Sequence, residues 1–149
     1  MTEASPRLIG LYLFVADMEA TTAFYAALGL AVEPVSDMFA RATWSGEVML
    51  EFGTRQLTSS YDPGFREPGN LSKGTINFEL ASAEHVDALF HRLVALGYNG
   101  HLAPIDALWG ARFAIINDPD GNQIGLHSPR NRVAEKQKEA GVSDGQGKG

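Results

Sequence analysis

With 149 residues, 44% of them hydrophobic, and a formal net charge of −6, the chain can supply one domain or two small fused modules, and its acidic balance argues against a nucleic-acid partner. It has no cysteine, which excludes disulfides and thiolate metal ligands and fits a reducing, cytoplasmic setting. MTEASPRL has neither a basic start nor an apolar run, and nothing approaches the ~18 apolar residues that cross a bilayer, so neither a signal peptide nor a membrane partner is expected.

Residues 9–16, IGLYLFVA, read as a strand in which Leu11, Leu13 and Val15 alternate with Gly10, Tyr12 and Phe14. Asp17 is placed to cap a helix whose Met18, Thr21, Phe24, Tyr25 and Leu28 recur at helical spacing, with Gly29 as its stop. Short strands are expected over Ala31–Val35, Phe39–Trp44 and Glu47–Phe52, the last two joined by a tight hairpin at Ser45-Gly46. GTRQLTSSYDPGFREPGNLSKG follows, rich in Gly, Pro and Ser and without period, and reads as a linker. Its loop Tyr61–Pro68 has the makings of a lid, although a linker needs no such role.

The second half repeats the plan. In GTINFEL, Ile76, Phe78 and Leu80 alternate with Thr75, Asn77 and Glu79. Ser82 can cap a helix with the apolar stripe Val86, Leu89, Phe90, Leu93 and Leu96, ending at Gly97. Strands are expected over Asn99–Ala103, Gly110–Ile116 and Gln123–His127, the last entered through the turn DPDGN. The organisation is thus a first module over 1–53, a linker over 54–73, a second module over 74–128 and a polar tail over 129–149. The tail carries a net +2 and the rest of the chain −8. The tail is too polar and glycine-rich to fold alone and reads as a solvated end.

The order strand–helix–strand–strand–strand therefore occurs twice, and aligning the caps Asp17 and Ser82 gives an offset of 65 residues. FVADMEATTAFYAALGL in the first half and WGARFAIINDPDGNQIGL in the second resemble the two modules of the vicinal oxygen chelate superfamily. That superfamily includes glyoxalase I, extradiol dioxygenases, fosfomycin-resistance transferases and bleomycin-resistance proteins. The resemblance spans about residues 8–127 and implies an α+β fold: two βαβββ modules forming a cupped mixed sheet, with helices on the outer face.

Enzymes of the superfamily hold a divalent metal through the first and last strand of each module. Carried over, those positions are Gly10, Glu51, Thr75 and Gly125. Only Glu51 suits a metal well, whereas an ion needs about three or four side-chain ligands. No metal or other cofactor is therefore expected, and Gly125 reads as a residue that clears space in the trough. Strand period puts Gly10, Tyr12, Phe14, Met49, Glu51, Thr75, Asn77, Glu79, Gln123, Gly125 and His127 on the trough face. Glu51, Glu79 and His127 are candidates for a displaced metal or acid–base site; the alternative is a solvent-facing or hydrogen-bonded role for each.

The expected ligand-binding residues are Tyr12, Phe14, Met49, Glu51, Asn77, Trp109 and Gln123, with Glu51 and His127 as catalytic candidates. Aromatic walls with a few amides suit a small aromatic or cationic molecule; the same rings could instead fill a sheet interior or a dimer contact. Arg112 could clamp an anionic ligand or pair with Glu79 or Asp118, the pairing being the expected role, and His85, His91 and His101 are expected to have no special role. The resemblance points to a metal-free binding protein of the antibiotic-sequestering kind, working as a homodimer. The competing reading is a lyase, isomerase or dioxygenase that uses a divalent metal or Glu51/His127 acid–base groups.

Overall fold

The structure is a computed structural model that describes residues 5, 7–44, 46–69 and 74–130. The polar tail beyond residue 130 and the turn residue Ser45 lie outside the described residues. The chain divides into two compact units, Met1–Gly69 and Asn70–Gly149.

In the first unit, β1 (Gly10–Val15), α1 (Met18–Leu28), β2 (Ala31–Ser36), β3 (Phe39–Thr43), β4 (Met49–Thr54) and α2 (Arg55–Tyr61) follow in order. The strands form one mixed sheet, β1-β4-β3-β2, with β1 parallel to β4 and the other pairs antiparallel. Helix α1 begins where expected, because Asp17 accepts a hydrogen bond from the Ala20 amide. It ends at Gly29, whose φ of 115° no side-chain-bearing residue adopts readily. Its buried Thr21, Phe24, Tyr25 and Leu28 lie over the sheet face made by Val15, Ala40, Ala42, Leu50 and Phe52, all nearly inaccessible. Tyr25 packs 4.6 Å from Phe52 and 4.9 Å from Phe24, ring centre to ring centre. The small residues Ala40 and Ala42 leave room for these rings.

The second unit repeats the arrangement with β5 (Thr75–Glu79), α3 (Ala83–Ala95), β6 (Gly100–Asp106), β7 (Arg112–Asn117) and β8 (Gln123–His127), in the sheet order β5-β8-β7-β6. Ser82 caps α3 through the His85 amide, and Val86, Leu89, Phe90 and Leu93 bury against Ala114, Ile116, Ile124 and Leu126. Leu96, expected on this stripe, stands 61% exposed because the helix has already ended at Ala95.

Three expectations are corrected. The stretch after β4 is not without structure: residues 55–61 form α2, capped by the Thr54 hydroxyl on the Leu57 amide. Its single buried residue is Thr58, so the helix is held by its cap and by contacts to β1 rather than by an apolar stripe that sequence could reveal. The β3–β4 connection spans residues 44–48, longer than a two-residue hairpin, and Trp44 folds its indole over Gly46, where a Cβ would overlap it. Arg112 pairs with neither Glu79 nor Asp118. It grips Asp87 of α3 with Nε and Nη2 (2.8 and 3.3 Å) and Asp106 of β6 with Nη1 (3.2 Å), fastening helix to sheet.

Candidate functional site

Because paired residues in adjacent strands point to the same side, the register defines the face of each sheet that α1 or α3 leaves uncovered. In the first unit Gly10 lies beside Met49, Tyr12 beside Glu51 and Phe14 beside Gly53, with Arg41 and Phe39 next across the sheet. In the second, Thr75 lies beside Gln123, Asn77 beside Gly125 and Glu79 beside His127, followed by Asn117, Ile115 and Phe113. The expected trough residues thus share one face within each unit. Strand alternation also puts Arg41 and Phe113 on these faces.

In the first unit this face is dressed by the segment that follows β4. The Tyr12 ring lies across Gly53, where a Cβ would overlap its hydroxyl and stand 2.9 Å from Cε2. Its hydroxyl bonds Thr58 Oγ1 at 2.9 Å, and Tyr61 meets the ring edge-on at 6.1 Å. Phe14 packs 5.1 Å from Phe65, and Arg55 ion-pairs Glu67 along the same segment. Burial raises the Tyr12 phenol pKa above its ordinary 10; Tyr61 and Glu51 push the same way and the Thr58 bond opposes them. Glu51 faces Arg41 at 3.5 Å, and that guanidinium lies 5.7 Å from the Phe39 ring centre. Met49 remains about one-third exposed at the end of the row. Two surface clefts of this unit, each about 650 Å³, lie at Asp37/Thr54/Ser59 and between α1 and β2. Neither includes an expected ligand-binding residue.

The second unit gathers the more pointed chemistry. His127 Nε2 lies 3.0 Å from Asn77 Oδ1. An amide oxygen only accepts, so Nε2 carries the proton and Nδ1 presents a lone pair. The His127 ring centre is 4.5 Å from Phe113 and 6.2 Å from Trp109, and those two rings are 5.2 Å apart. Burial and then Arg130 lower the imidazole pKa below its ordinary 6.5, against the pull of Glu79. The Trp109 indole nitrogen is buried and has no hydrogen-bond partner among the described residues. At the other end of the row, Thr75 Oγ1 donates to Gln123 Oε1 and Gln123 Nε2 meets His101 Nε2, both at 3.3 Å. His101 is therefore part of this face, although the sequence marked it as ordinary. His91 bonds the Asp87 carbonyl of its own helix.

Gly125 does not leave a hollow. A Cβ there would overlap Asn77 Oδ1 and come within 3.1 Å of Asn77 Cγ and of Thr75 Cγ2. The space is filled by the amide that holds His127. The DPDGN turn is also self-contained: Asp118, 5% exposed, accepts from the Asp120 and Asn122 amides and the Asn122 side chain at 2.8–3.0 Å, and Gly121 takes the left-handed φ of 86°. Its role is to deliver β8.

A model of the glyoxalase/bleomycin resistance protein/dioxygenase superfamily matches residues 7–126. The chain belongs to that superfamily. Among solved structures, it is similar to a superfamily protein from Nocardioides, with 26% identity over 87% of each chain and a TM-score of 0.71. A glyoxalase-related enzyme from Fulvimarina pelagi shares 19% identity over 83% of this chain and 88% of that one, with a TM-score of 0.73. A lactoylglutathione lyase from Agrobacterium tumefaciens shares 22% identity, covers 85% and 96%, and has a TM-score of 0.63. The last two likenesses speak to the fold alone. No curated protein matches the chain.

The metal that the superfamily implies finds a poor donor set here. In the first unit the two positions are Gly10, without a side chain, and Glu51, already facing Arg41. In the second they are Thr75, a hydroxyl bonded to Gln123, and Gly125, overlain by Asn77. Among the described residues no three His, Asp or Glu gather closely enough to hold an ion, and Glu79 and His127, though register partners, find no third. These residues do not fit a tightly bound divalent ion. No described helix is long and apolar enough to cross a membrane.

Proposed function

We propose that this chain is a metal-independent small-molecule-binding member of the superfamily, a cytoplasmic homodimer that sequesters a flat, amphipathic compound of the antibiotic type. The observation that carries the reading is the replacement of the donor set by packing groups: two glycines, an ion-paired carboxylate and a bonded hydroxyl stand where ligands would. Beside them the second unit presents aromatic side chains, Trp109 and Phe113, on the same face as His127. The competing reading, a metal-dependent lyase, isomerase or dioxygenase, would have to route its ion through Glu51, and Glu51→Ala would then abolish metal retention and turnover together.

The test is metal content by mass spectrometry after incubation with Zn, Ni, Fe(II) or Mn and desalting. Well under one ion per chain in every case is expected. One tightly held ion per chain would overturn the proposal.

A further inference from the structure

Helix α1 leaves the outermost strand of the first sheet incompletely covered. Its large residues bury over the middle of the sheet, Tyr25 against Phe52 of β4. Towards β2, the edge strand, it presents the small side chains of Ala23 and Ala26. Val32 and Pro34 point to the same side as their buried register partners Ala42 and Ala40, yet Pro34 is exposed and Val32 only half-buried. The gap is a cleft of about 650 Å³, a size that takes a small ligand. It lies on the opposite side of the sheet from Tyr12 and Glu51. Its two ends differ chemically. β2 follows α1 after Gly29 and Leu30 and runs back along it, so Ala26 and Val32 stand at one end and Glu19 and Asp37 at the other. Neither carboxylate has an ion-pair or hydrogen-bond partner among the described residues. The hydroxyls at this end are engaged: Thr22 donates to the Met18 and Glu19 carbonyls, and Ser36 Oγ accepts the Met38 amide. The roughly half positive charge of the α1 N-terminus is already met by its cap, Asp17. Arg55, in the neighbouring cleft that shares Asp37, is ion-paired to Glu67.

We infer that the cleft between α1 and β2 is a second ligand site, for a small amphipathic amine whose apolar body lies along Met18, Ala26 and Val32 and whose primary ammonium donates to Glu19 and Asp37. The inference goes beyond the reading of the opposite face and does not depend on it. Ionised carboxylates only accept hydrogen bonds, so the head group must bring donors as well as charge, and a primary ammonium brings three. Seven residues of helix separate Glu19 from Ala26, a rise of about 10 Å, which sets the ligand's length. An anionic ligand meets two like charges here. A polyamine has the charge but no apolar body for the Ala26 end, where the Met18 thioether can adapt to a ring or a chain.

Three probes on the full chain test this: 4-phenylbutylamine, 4-phenylbutanol (charge removed) and trimethyl(4-phenylbutyl)ammonium (donors removed). Titration followed by ¹³C methyl spectra reads both affinity and place. The amine is expected to shift the Ala23, Ala26 and Val32 methyl resonances saturably, and the other two probes to bind at least about fivefold more weakly. Glu19→Gln combined with Asp37→Asn should weaken the amine about five- to tenfold and leave the alcohol unchanged. Ala26→Leu, which fills the apolar end, should weaken amine and alcohol alike. All three positions are exposed, so the circular dichroism of each variant should match that of the parent. Equal binding of amine and alcohol, an amine affinity untouched by the double substitution or by Ala26→Leu, shifts confined to residues outside the cleft, or no binding at about 10 mM would each overturn the inference.

Discussion

Gly125 offers the sharpest quantitative test of how the second unit is built. Gly125→Ala places a methyl group on Asn77 Oδ1 and 3.1 Å from Thr75 Cγ2. The amide is the free end of a side chain, so it swings away, and its 3.0 Å bond to His127 is lost. A partly exposed bond of this kind contributes about 0.5–1.5 kcal/mol. Alanine in a strand interior recovers about 0.5–1 kcal/mol over glycine through the unfolded chain's entropy. The two nearly cancel, so the single variant moves stability by no more than about 1 kcal/mol and its sign decides nothing. The coupling decides. In an Asn77→Ala background there is no bond to lose, while the Thr75 contact and the glycine entropy are the same and drop out of the cycle. Gly125→Ala should therefore be more favourable in that background by about 1 kcal/mol. Urea unfolding of the four proteins, followed by tryptophan fluorescence in a Trp44→Phe background so that only Trp109 emits, measures this. A coupling inside the ordinary additivity error of about 0.5 kcal/mol would refute the argument that Gly125 exists to seat Asn77.

The same reasoning applied to Gly53→Ala gives a larger effect, because the whole Tyr12 ring is displaced from Thr58 and Tyr61; about 2–3 kcal/mol of lost stability is expected in denaturant titration, and a neutral variant would contradict the placement. Asp118→Ala strands two backbone amides in a buried turn and should cost about 2–4 kcal/mol by thermal unfolding, whereas Asp118→Asn should retain part of that. His127 has a folded pKa below 6.5, so the unfolded chain binds the proton more readily. Stability should be full above pH ~6.5 and fall as pH drops through the folded-state pKa. Urea midpoints between pH 7.5 and 5 should show a decline that His127→Gln flattens, and a parallel decline in that variant would refute it.

Much of the architecture was legible in the sequence because it rests on local rules. Asp17 and Ser82 cap as their chemistry dictates, Gly29 takes the left-handed turn, and β8 falls on Gln123–His127 as alternation predicted. The sharing of one face by Tyr12 and Glu51, or by Asn77 and Gly125, followed from the period of two alone. What sequence could not supply was the conformation of side chains across strands. Gly125 read as empty space because the Asn77 amide that fills it depends on a rotamer one strand away. Arg112 found Asp87 because α3 lies over β7, a packing fact with no signature in spacing. Helix α2 was hidden because RQLTSSY has no apolar period, although Thr54 as its cap was there to be read.

The parallel pairing of the first and last strands of each unit also has a consequence for biosynthesis. β1 waits for β4, whose Met49 lies 39 residues after its partner Gly10, and at ~5–20 residues per second that is about 2–8 s of ribosome time. Until then α1 can cover only β2 and β3, and the parallel edge of β1, with Leu8, Ile9 and Leu11 at the surface even in the finished protein, has nothing to pair with. A chain stalled before Met49 is therefore an aggregation hazard, whereas one stalled after α2 has all four strands of its first sheet. Codon changes that slow translation between residues 30 and 49 should lower soluble yield more than equal delays after residue 61.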